Sequence, residues 1–474
     1  MAICHKLKMT ARGFEPRDVK NCIMSDREHE RMNDTLVNCR NNLARAVVAL
    51  AISLLLAGCT SFARGVTEAM LSRESEDTRM CEAEGVPFEG IEPYLSRQDS
   101  LPPIGDADSS RPQVKVVYVH GIGTHRPGHG TELMQNLTRS LALDVRSPRP
   151  KTIALVHPEN SNQSLGELTL FRFTDEHRKR DLVFYELTWS SITQPSKESI
   201  AFDESDVYRS RRASVNQAMR SFINDIAPDP IAFAGNRGEL ILTAIGQTLC
   251  WAMSTTWSQL PESTAGKSCE LDSDFGSRVT IDEFAFITHS LGSRAIMDSL
   301  QRIARRAYDP DVRSDRDARR MTEALRAREL QLFMLSNQLP LLEAGQDPQE
   351  ITGAEADFCE PDAPRSNERF FKRLQMVAFS DPNDVMSYPV PETWVQSYVD
   401  SRLCPKVTNI TINIANVRSL PGLGTFADPL VAHTGYDEDE RVGGLMAKGA
   451  GHADVAPIVR ERCAWIATDE NLMH

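Results

Sequence analysis

The stretch from Ile281 to Leu300, IDEFAFITHSLGSRAIMDSL, constrains the fold more than any other part of the chain. An apolar run over 284–287 predicts a short buried strand, and apolar residues at helical spacing from Ile296 onward predict an amphipathic helix. The chain must therefore turn sharply around Ser290. The N–H groups and dipole at the start of a helix stabilise negative charge, which makes this serine a candidate nucleophile. The alternative is a serine that only caps the helix.

The composition is that of a folded, acidic protein. Of the 474 residues, 41% are hydrophobic, enough for a sizeable core, and the 25% that are charged do not suggest a disordered chain. The formal net charge of −13 argues against nucleic acid as a partner, because phosphate binding needs a basic surface. Cysteine and histidine do not occur at metal-ligand spacing, so we expect no metal site.

The first 58 residues carry the pattern of a bacterial lipoprotein signal peptide. The uncharged run 46–57 (AVVALAISLLLA) follows Arg40 and Arg45 and is too short to cross a bilayer, which takes about 20 residues. It leads into Cys59 through Leu-Ala-Gly, which resembles the lipobox whose cysteine is lipidated and becomes the mature N terminus. An ordinary secretory signal or a buried helix is the alternative.

Two details refine this expectation. The charged residues 1–31 make the leader long, so we expect translation to start at Met32. Thr60, not Asp, follows Cys59, and in Gram-negative lipoproteins this implies sorting to the outer membrane. The resemblance thus implies lipidation of Cys59 and anchoring to the outer membrane on its periplasmic side.

Polar residues, Pro and Gly dominate 59–113, so we expect a lipidated tether there, with one short helix near 64–82.

Export would place the remaining cysteines in an oxidising compartment. Their even number permits up to three disulfides, whose pairing the sequence does not reveal. These six are Cys81, Cys250, Cys269, Cys359, Cys404 and Cys463.

Beyond the tether, strands alternate with helices or long connections. This order predicts an α/β fold with a mostly parallel sheet flanked by helices. The predicted strands are 115–119, 152–156, 167–173, 182–189, 284–287, 330–336, 374–379 and 407–414. Residues 190–275 have helical character. They predict either a helical cap over the site or, in their apolar second half, a buried crossover helix. We favour the buried crossover helix.

The strand 115–119 runs directly into His120-Gly121-Ile122-Gly123. Glycine lets the backbone bend so that its N–H groups face a cavity. A phosphate-binding loop is the alternative, but no G-x-x-x-x-G-K-[ST] pattern follows. His120 is more often a structural residue in such a loop than a catalytic one.

Two acidic residues and two histidines follow Ser290 in the chain. Asp381 and Asp384 come after the strand 374–379, and His433 comes after the last strand. We favour Asp384 over Asp381 as the acid, because Asp381 suits a turn. We favour His433 over His452 as the base, because the base must return to the strand ends near Ser290.

The order of His-Gly loop, serine, acid and histidine resembles the α/β-hydrolase superfamily of esterases and lipases over about residues 114–460. The resemblance implies an α/β-hydrolase domain over 114–474 and a serine hydrolase that cleaves carboxylic esters. It implies Ser290 as nucleophile, His433 as base and Asp384 as orienting acid. It also implies an oxyanion hole formed by the N–H of Leu291 with that of Gly121 or Ile122, an ester or lipid-like substrate, and no cofactor.

One departure from the family pattern stands at Thr288. The usual elbow is G-x-S-x-G, and here threonine occupies the first glycine position while Gly292 keeps the second. This departure supports a rival reading, in which a non-catalytic envelope lipoprotein uses the same fold for binding. A thioesterase or an amidase is the second rival.

Overall fold

The structure is a computed structural model that describes residues 80–105, 111–147, 149–269, 275–344, 346–352, 355–420 and 424–466. The leader, the lipobox with Cys59 and the first part of the expected tether lie outside these residues. Among the described residues, no helix is long and apolar enough to cross a membrane.

All eight predicted strands are present, one of them starting seven residues earlier than predicted, and the described residues contain six short strands that the sequence does not predict. The strands are β1 Cys81–Gly85, β2 Val114–Val119, β3 Asp144–Val145, β4 Lys151–His157, β5 Asn160–Thr174, β6 Asp181–Thr188, β7 Ser263–Lys267, β8 Glu283–His289, β9 Glu329–Leu335, β10 Arg373–Ser380, β11 Pro405–Ile412, β12 Arg418–Leu420, β13 Gly424–Phe426 and β14 Cys463–Ile466. Every residue of β2 and β6 is buried, as expected for central strands covered on both faces.

The helices connect these strands or extend from their ends. In the described residues they are α1 Glu92–Ser96, α2 Thr131–Ser140, α3 Gln194–Glu198, α4 Asp206–Arg209, α5 Ser214–Ile226, α6 Pro228–Ala234, α7 Gly238–Ser254, α8 Phe275–Ile281, α9 Leu291–Arg306, α10 Pro310–Ser314, α11 Arg316–Arg326, α12 Leu339–Leu342, α13 Glu392–Tyr398, α14 Pro429–Thr434, α15 Glu440–Lys448 and α16 Pro457–Arg462.

Twelve strands of the described residues form one mixed sheet in the order β14-β1-β11-β10-β9-β8-β2-β6-β5-β4-β7, with β3 paired to β5. Its six central strands, β11 to β6, run parallel. The antiparallel strands β5 and β4 extend one side, and β1 pairs antiparallel with β11 on the other. The prediction of an α/β fold with a mostly parallel sheet is confirmed.

The order in which strands are added to the sheet changes direction between β2 and β8. After β2 the chain adds β6 on one side of this pair, whereas after β8 it adds β9, β10 and β11 on the other side. Loops at the carboxyl ends of parallel strands diverge at such a point and leave a crevice. The loops that follow β2 and β8 contain Gly121 and Ser290.

Apolar side chains cover both faces of the sheet. Ile241 and Ile245 of α7 join Ala295 and Leu300 of α9 in the core on one face. On the other face, α2 and α15 close a second core through residues such as Leu137 and Leu445. The helix α7 is thus a buried crossover helix, and a cap over the site stays a prediction for the segment before it, α3 to α6.

The six cysteines form three disulfides, Cys81–Cys463, Cys250–Cys269 and Cys359–Cys404. The first joins β1 to β14 across 382 residues of sequence. The predicted extent of the tether needs correction here, because Cys81–Gly85 is a strand of the sheet, hydrogen-bonded to β11 and β14. No local pattern predicts this strand, because a short edge strand is determined by the strands that it pairs with.

Candidate active site

Ser290 occupies the turn between β8 and α9 with φ 54° and ψ −123°, a backbone conformation that non-glycine residues rarely adopt. Its N–H donates to the carbonyl of Leu335 at the end of β9, at 2.9 Å. The hydroxyl of Ser290 does not cap α9, and it is buried without a hydrogen-bond partner among the described residues. A capping role therefore does not account for this serine.

The turn brings backbone so close that side chains are excluded at two positions. A Cβ atom added to Gly292 would lie 2.4 Å from the carbonyl oxygen of Val119. One added to Gly121 would lie 2.5 Å from Cβ of Ser290. Both glycines therefore permit the end of β2 and the start of α9 to meet beside the serine.

Thr288, the departure from the family pattern, is accommodated inside the turn. It is fully buried at the end of β8. Its hydroxyl donates to the carbonyl of Phe333 at 3.2 Å and lies 3.0 Å from the hydroxyl of Ser293. The larger side chain thus satisfies its polar atom locally and does not prevent the strained conformation of Ser290.

The loop after β2 presents free N–H groups beside Ser290. The backbone N–H groups of Gly121, Ile122 and Leu291 have no acceptor among the described residues. That of Gly123 is already used, because it donates to Oδ2 of Asp229 at 2.6 Å. The three free donors are the ones that the sequence assigns to an oxyanion hole, which needs donors aimed at the developing charge.

His120 fixes this loop and is not a base. Its Nε2 accepts the backbone N–H of Trp189 at 3.0 Å, and its Nδ1 lies 2.8 Å from the carbonyl of Gly121. The ring stacks on the Trp189 indole with centroids 4.5 Å apart. Burial lowers the pKa of His120 well below its ordinary value, so the ring stays neutral.

Asp384 and His433 form a buried pair. His433 lies on α14, a short helix and not the loop that the sequence suggests, and its Nδ1 is 3.1 Å and 3.0 Å from the two carboxylate oxygens of Asp384. Burial by itself would raise the pKa of Asp384, but hydrogen bonds from His433 and Ser336 outweigh burial and hold that pKa below its ordinary value. The carboxylate is therefore ionised and orients the imidazole.

Asp381, the alternative acid, has a different role. Its carboxylate accepts the backbone N–H groups of Ile414 at 2.6 Å and of Ala415 at 3.0 Å, and that of Asn383 at 2.7 Å. It thereby joins the end of β10 to the chain that leaves β11. Its oxygen atoms are occupied by backbone donors, so it stands as a structural turn residue.

The imidazole of His433 has a second, unpaired nitrogen. Its Nε2 is buried without a hydrogen-bond partner among the described residues, as is the hydroxyl of Ser290. His289, next to Ser290, donates from Nε2 to the carbonyl of His433 at 2.8 Å. Burial lowers the pKa of His289 to about 3, so this neighbour is a neutral donor.

The alternative base, His452, lies elsewhere. It lines a small cavity with Ala83 and Trp465 at the β1–β14 edge of the sheet.

Ser336 is a site residue that sequence reasoning missed. It follows β9, has φ 48°, and is fully buried. Its hydroxyl donates to Oδ2 of Asp384 at 2.6 Å and lies 2.8 Å from Nδ1 of His433. The one available signal was its position at the carboxyl end of a strand adjacent to β8, where the strand ends converge.

The segment α3 to α6 holds the loop after β2 through ionised side chains. Lys197 of α3 lies 3.1 Å from Asp229 and 3.2 Å from Asp225. Asp229 accepts the Gly123 N–H, and Asp225 accepts the N–H and hydroxyl of Thr124 at 3.2 Å and 2.6 Å. Asp229 is fully buried, so this ion pair is a fixed part of the loop's support.

Within the described residues, no cluster of three or more histidine, cysteine, aspartate or glutamate side chains could hold a metal ion. No protein-family model, curated protein or solved structure matches the chain. The assignment of function therefore depends on the geometry of the site.

Proposed function

We propose that the chain is a serine hydrolase of the α/β-hydrolase type that cleaves carboxylic esters. The observation that carries the proposal is the conformation of Ser290. An unpaired serine hydroxyl on a strained strand-to-helix turn, beside free N–H groups, matches the geometry of a nucleophile elbow. The order of the parallel strands, with the serine after β8 and the His-Gly loop after the neighbouring strand β2, supports the same fold family.

The proposed mechanism uses the side chains already described. His433 Nε2 takes the proton of the Ser290 hydroxyl as the oxygen attacks the ester carbonyl, while Asp384 stabilises the imidazolium through Nδ1. The N–H groups of Leu291 and of Gly121 or Ile122 stabilise the tetrahedral oxyanion. His433 then protonates the leaving alcohol, and water hydrolyses the acyl-enzyme by the same steps in reverse.

We place this hydrolase at the bacterial outer membrane, anchored through a lipidated Cys59 and facing the periplasm. Three disulfides in one chain support an oxidising compartment. The ester or lipid-like substrate follows from the family resemblance alone, and no cofactor enters the mechanism.

A fluorophosphonate probe tests the proposal, because it labels only activated serines. We expect the full chain to be labelled at Ser290 and the Ser290→Ala variant to be folded but unlabelled. Ser299→Ala is the matched control, since this buried serine of α9 bonds only to the carbonyl of Ala295. Folded protein without labelling would favour the non-catalytic binding role. A panel of esters, thioesters and amides then separates an esterase from a thioesterase or an amidase.

A further inference from the structure

The proposed catalytic base, His433, lies on a helix that has a small packing surface. Helix α14 spans only the six residues Pro429–Thr434, and helices this short are not stable by themselves. Its buried residues are Ala432 and His433, whereas Leu430 and Val431 are 49% and 45% exposed. The position of the base therefore depends strongly on individual polar contacts.

One of these contacts comes from the residue beside the nucleophile. The carbonyl groups in the last turn of a helix have no donor within the helix. The carbonyl of His433 accepts a hydrogen bond from Nε2 of His289 at 2.8 Å. The two imidazole rings also meet edge to face, with centroids 5.1 Å apart. A hydrogen bond thus joins the strand that precedes Ser290 to the helix that carries the base.

His289 is a rigid anchor for this bond. It is the last residue of β8 and lies opposite Leu335 of the parallel strand β9. The next residue, Ser290, donates its N–H to the carbonyl of the same Leu335 at 2.9 Å. One position on β9 therefore fixes the backbone of the nucleophile and of the residue that holds the base.

The surroundings of His289 make it a neutral donor and not a second base. Burial lowers the pKa of His289 to about 3. The nearby imidazoles of His433 and His125 lower this pKa as well, and the carboxylate of Asp384 opposes them. A neutral ring whose Nε2 carries the proton adds no charge beside the imidazolium that forms on the base during catalysis.

We propose that His289 is a positioning residue, whose Nε2–H holds the backbone of His433 at the separation from Ser290 that proton transfer needs. The role rests on the proposed function, because it concerns the base of that reaction. Asp384 and Ser336 contact the ring of the base at Nδ1 and fix how the ring is turned. His289 instead fixes the helix from which the ring projects. Proton transfer requires both the direction and the distance.

Two variants of similar shape separate the donor from the bulk of the ring. His289→Gln keeps an N–H donor near the position of the imidazole Nε2, and His289→Met has no donor. We expect His289→Met to lower kcat for ester hydrolysis about tenfold or more with little change in KM, because the base loses its position. His289→Gln should keep kcat within about threefold of the parent. Thermal unfolding shows whether both variants are folded in the assay.

Thr434→Val is the matched control on the same helix. The hydroxyl of Thr434 donates within α14, to the carbonyl of Leu430 at 2.9 Å, and the side chain is exposed. Its loss removes a polar contact of α14 without touching the strand of the nucleophile. The kcat of this variant should match that of the parent.

A second readout does not depend on ester hydrolysis. The Nδ1 proton of His433, which faces the carboxylate of Asp384, should give a downfield proton resonance in NMR spectra of the full chain. The resonance should persist in His289→Gln and broaden or disappear in His289→Met. Equal kcat in these two variants, or an unchanged resonance in both, would overturn the positioning role. A parent that neither hydrolyses esters nor reacts with the fluorophosphonate would contradict the proposed function, and the resonance alone would then decide whether His289 positions His433.

Discussion

At the scale of single residues, the site depends on two buried serines in left-handed backbone conformations. Ser290 has φ 54° and Ser336 has φ 48°, and each follows a parallel strand of the central sheet. Such strain persists only where surrounding structure determines it, and it concentrates at functional sites. Ser290 presents an unpaired hydroxyl, whereas the hydroxyl of Ser336 is bonded to both Asp384 and His433.

Ser336→Gly separates the hydroxyl's role from that of the backbone. Glycine adopts φ 48° without strain, so we expect the free energy of unfolding to change by less than about 1 kcal/mol. Loss of the hydrogen bond to Asp384 should lower kcat about tenfold and leave KM unchanged, because the acid–base pair loses its orientation. Steady-state kinetics on an ester substrate measures this split.

Ser387→Ala controls for the loss of a serine hydroxyl nearby, since the hydroxyl of Ser387 donates to the carbonyl of Asp381 and not to the side chains of Asp384 or His433. Its kcat should match that of the parent. An unchanged kcat in a folded Ser336→Gly protein would show that Ser336 serves only the backbone turn.

At the scale of elements, the short helices inserted between β6 and α7 support the loop that follows β2. Lys197 and Asp229 form a pair that is almost entirely excluded from water, and Asp229 also accepts the Gly123 N–H. A buried carboxylate with backbone and lysine donors fixes the loop geometry more strongly than a surface contact would. The inserted segment therefore holds the loop that contains the proposed oxyanion donors.

Asp229→Asn tests this support. The amide keeps the shape of the side chain but removes the charge that Lys197 faces, so we expect kcat/KM for ester hydrolysis to fall about tenfold as the loop loses its fixed position. Thermal unfolding of the same variant shows whether the protein is folded in the assay. Asp203→Asn is the comparison, because Asp203 holds α5 through Arg220 and Asn224 and makes no contact with the loop. Equal losses in both variants would contradict a specific role for Asp229.

At the scale of the whole molecule, the disulfide Cys81–Cys463 joins the first and last strands of the sheet. These strands are adjacent and parallel although 382 residues separate the two cysteines. A cross-link that closes so long a loop restricts the unfolded chain strongly. We expect Cys81→Ser with Cys463→Ser to lower the free energy of unfolding by about 2–5 kcal/mol, measured by denaturant titration.

The Cys359→Ser with Cys404→Ser protein is the control for that measurement, because its loop spans only 45 residues. The loop-closure argument predicts a smaller loss there. A larger loss in the control would show that local packing, and not chain restriction, decides the contribution of these disulfides.

Buried neutral histidines should make stability depend on pH. Burial lowers the pKa of His125 to about 4 and of His289 to about 3, below the ordinary value near 6.5. Between those values the unfolded chain binds protons that the folded chain does not, so stability is full above about pH 6.5 and falls as the pH decreases. The slope is about 1.4 kcal/mol per pH unit for each such histidine.

Denaturant unfolding between about pH 6.5 and about pH 4 measures this slope. His125→Gln should reduce the slope by the contribution of one histidine, about 1.4 kcal/mol per pH unit. A slope that is the same in parent and variant would mean that His125 binds its proton equally well in both states.

Much of the fold could be predicted from local sequence. Apolar runs such as 284–287 and 374–379 lie within β8 and β10, and the alternation with helices indicates the parallel sheet. The edge strand Cys81–Gly85 could not be predicted, because its pairing with β11 and β14 depends on residues far away in the chain. The buried position of α7 was predictable from its apolar content, but the absence of any buried residue in α5 was not.

Local sequence patterns indicate which residue types follow the ends of strands: the His-Gly loop, Ser290, Asp384 and His433. The choice between alternative residues depends on the folded structure, because the orientation of a side chain depends on contacts between distant segments. The folded structure directs the oxygens of Asp381 to backbone N–H groups and those of Asp384 to His433, and it places Ser336 between that acid and that base. A linear pattern specifies distance along the chain, whereas hydrogen bonds require distance and direction in space.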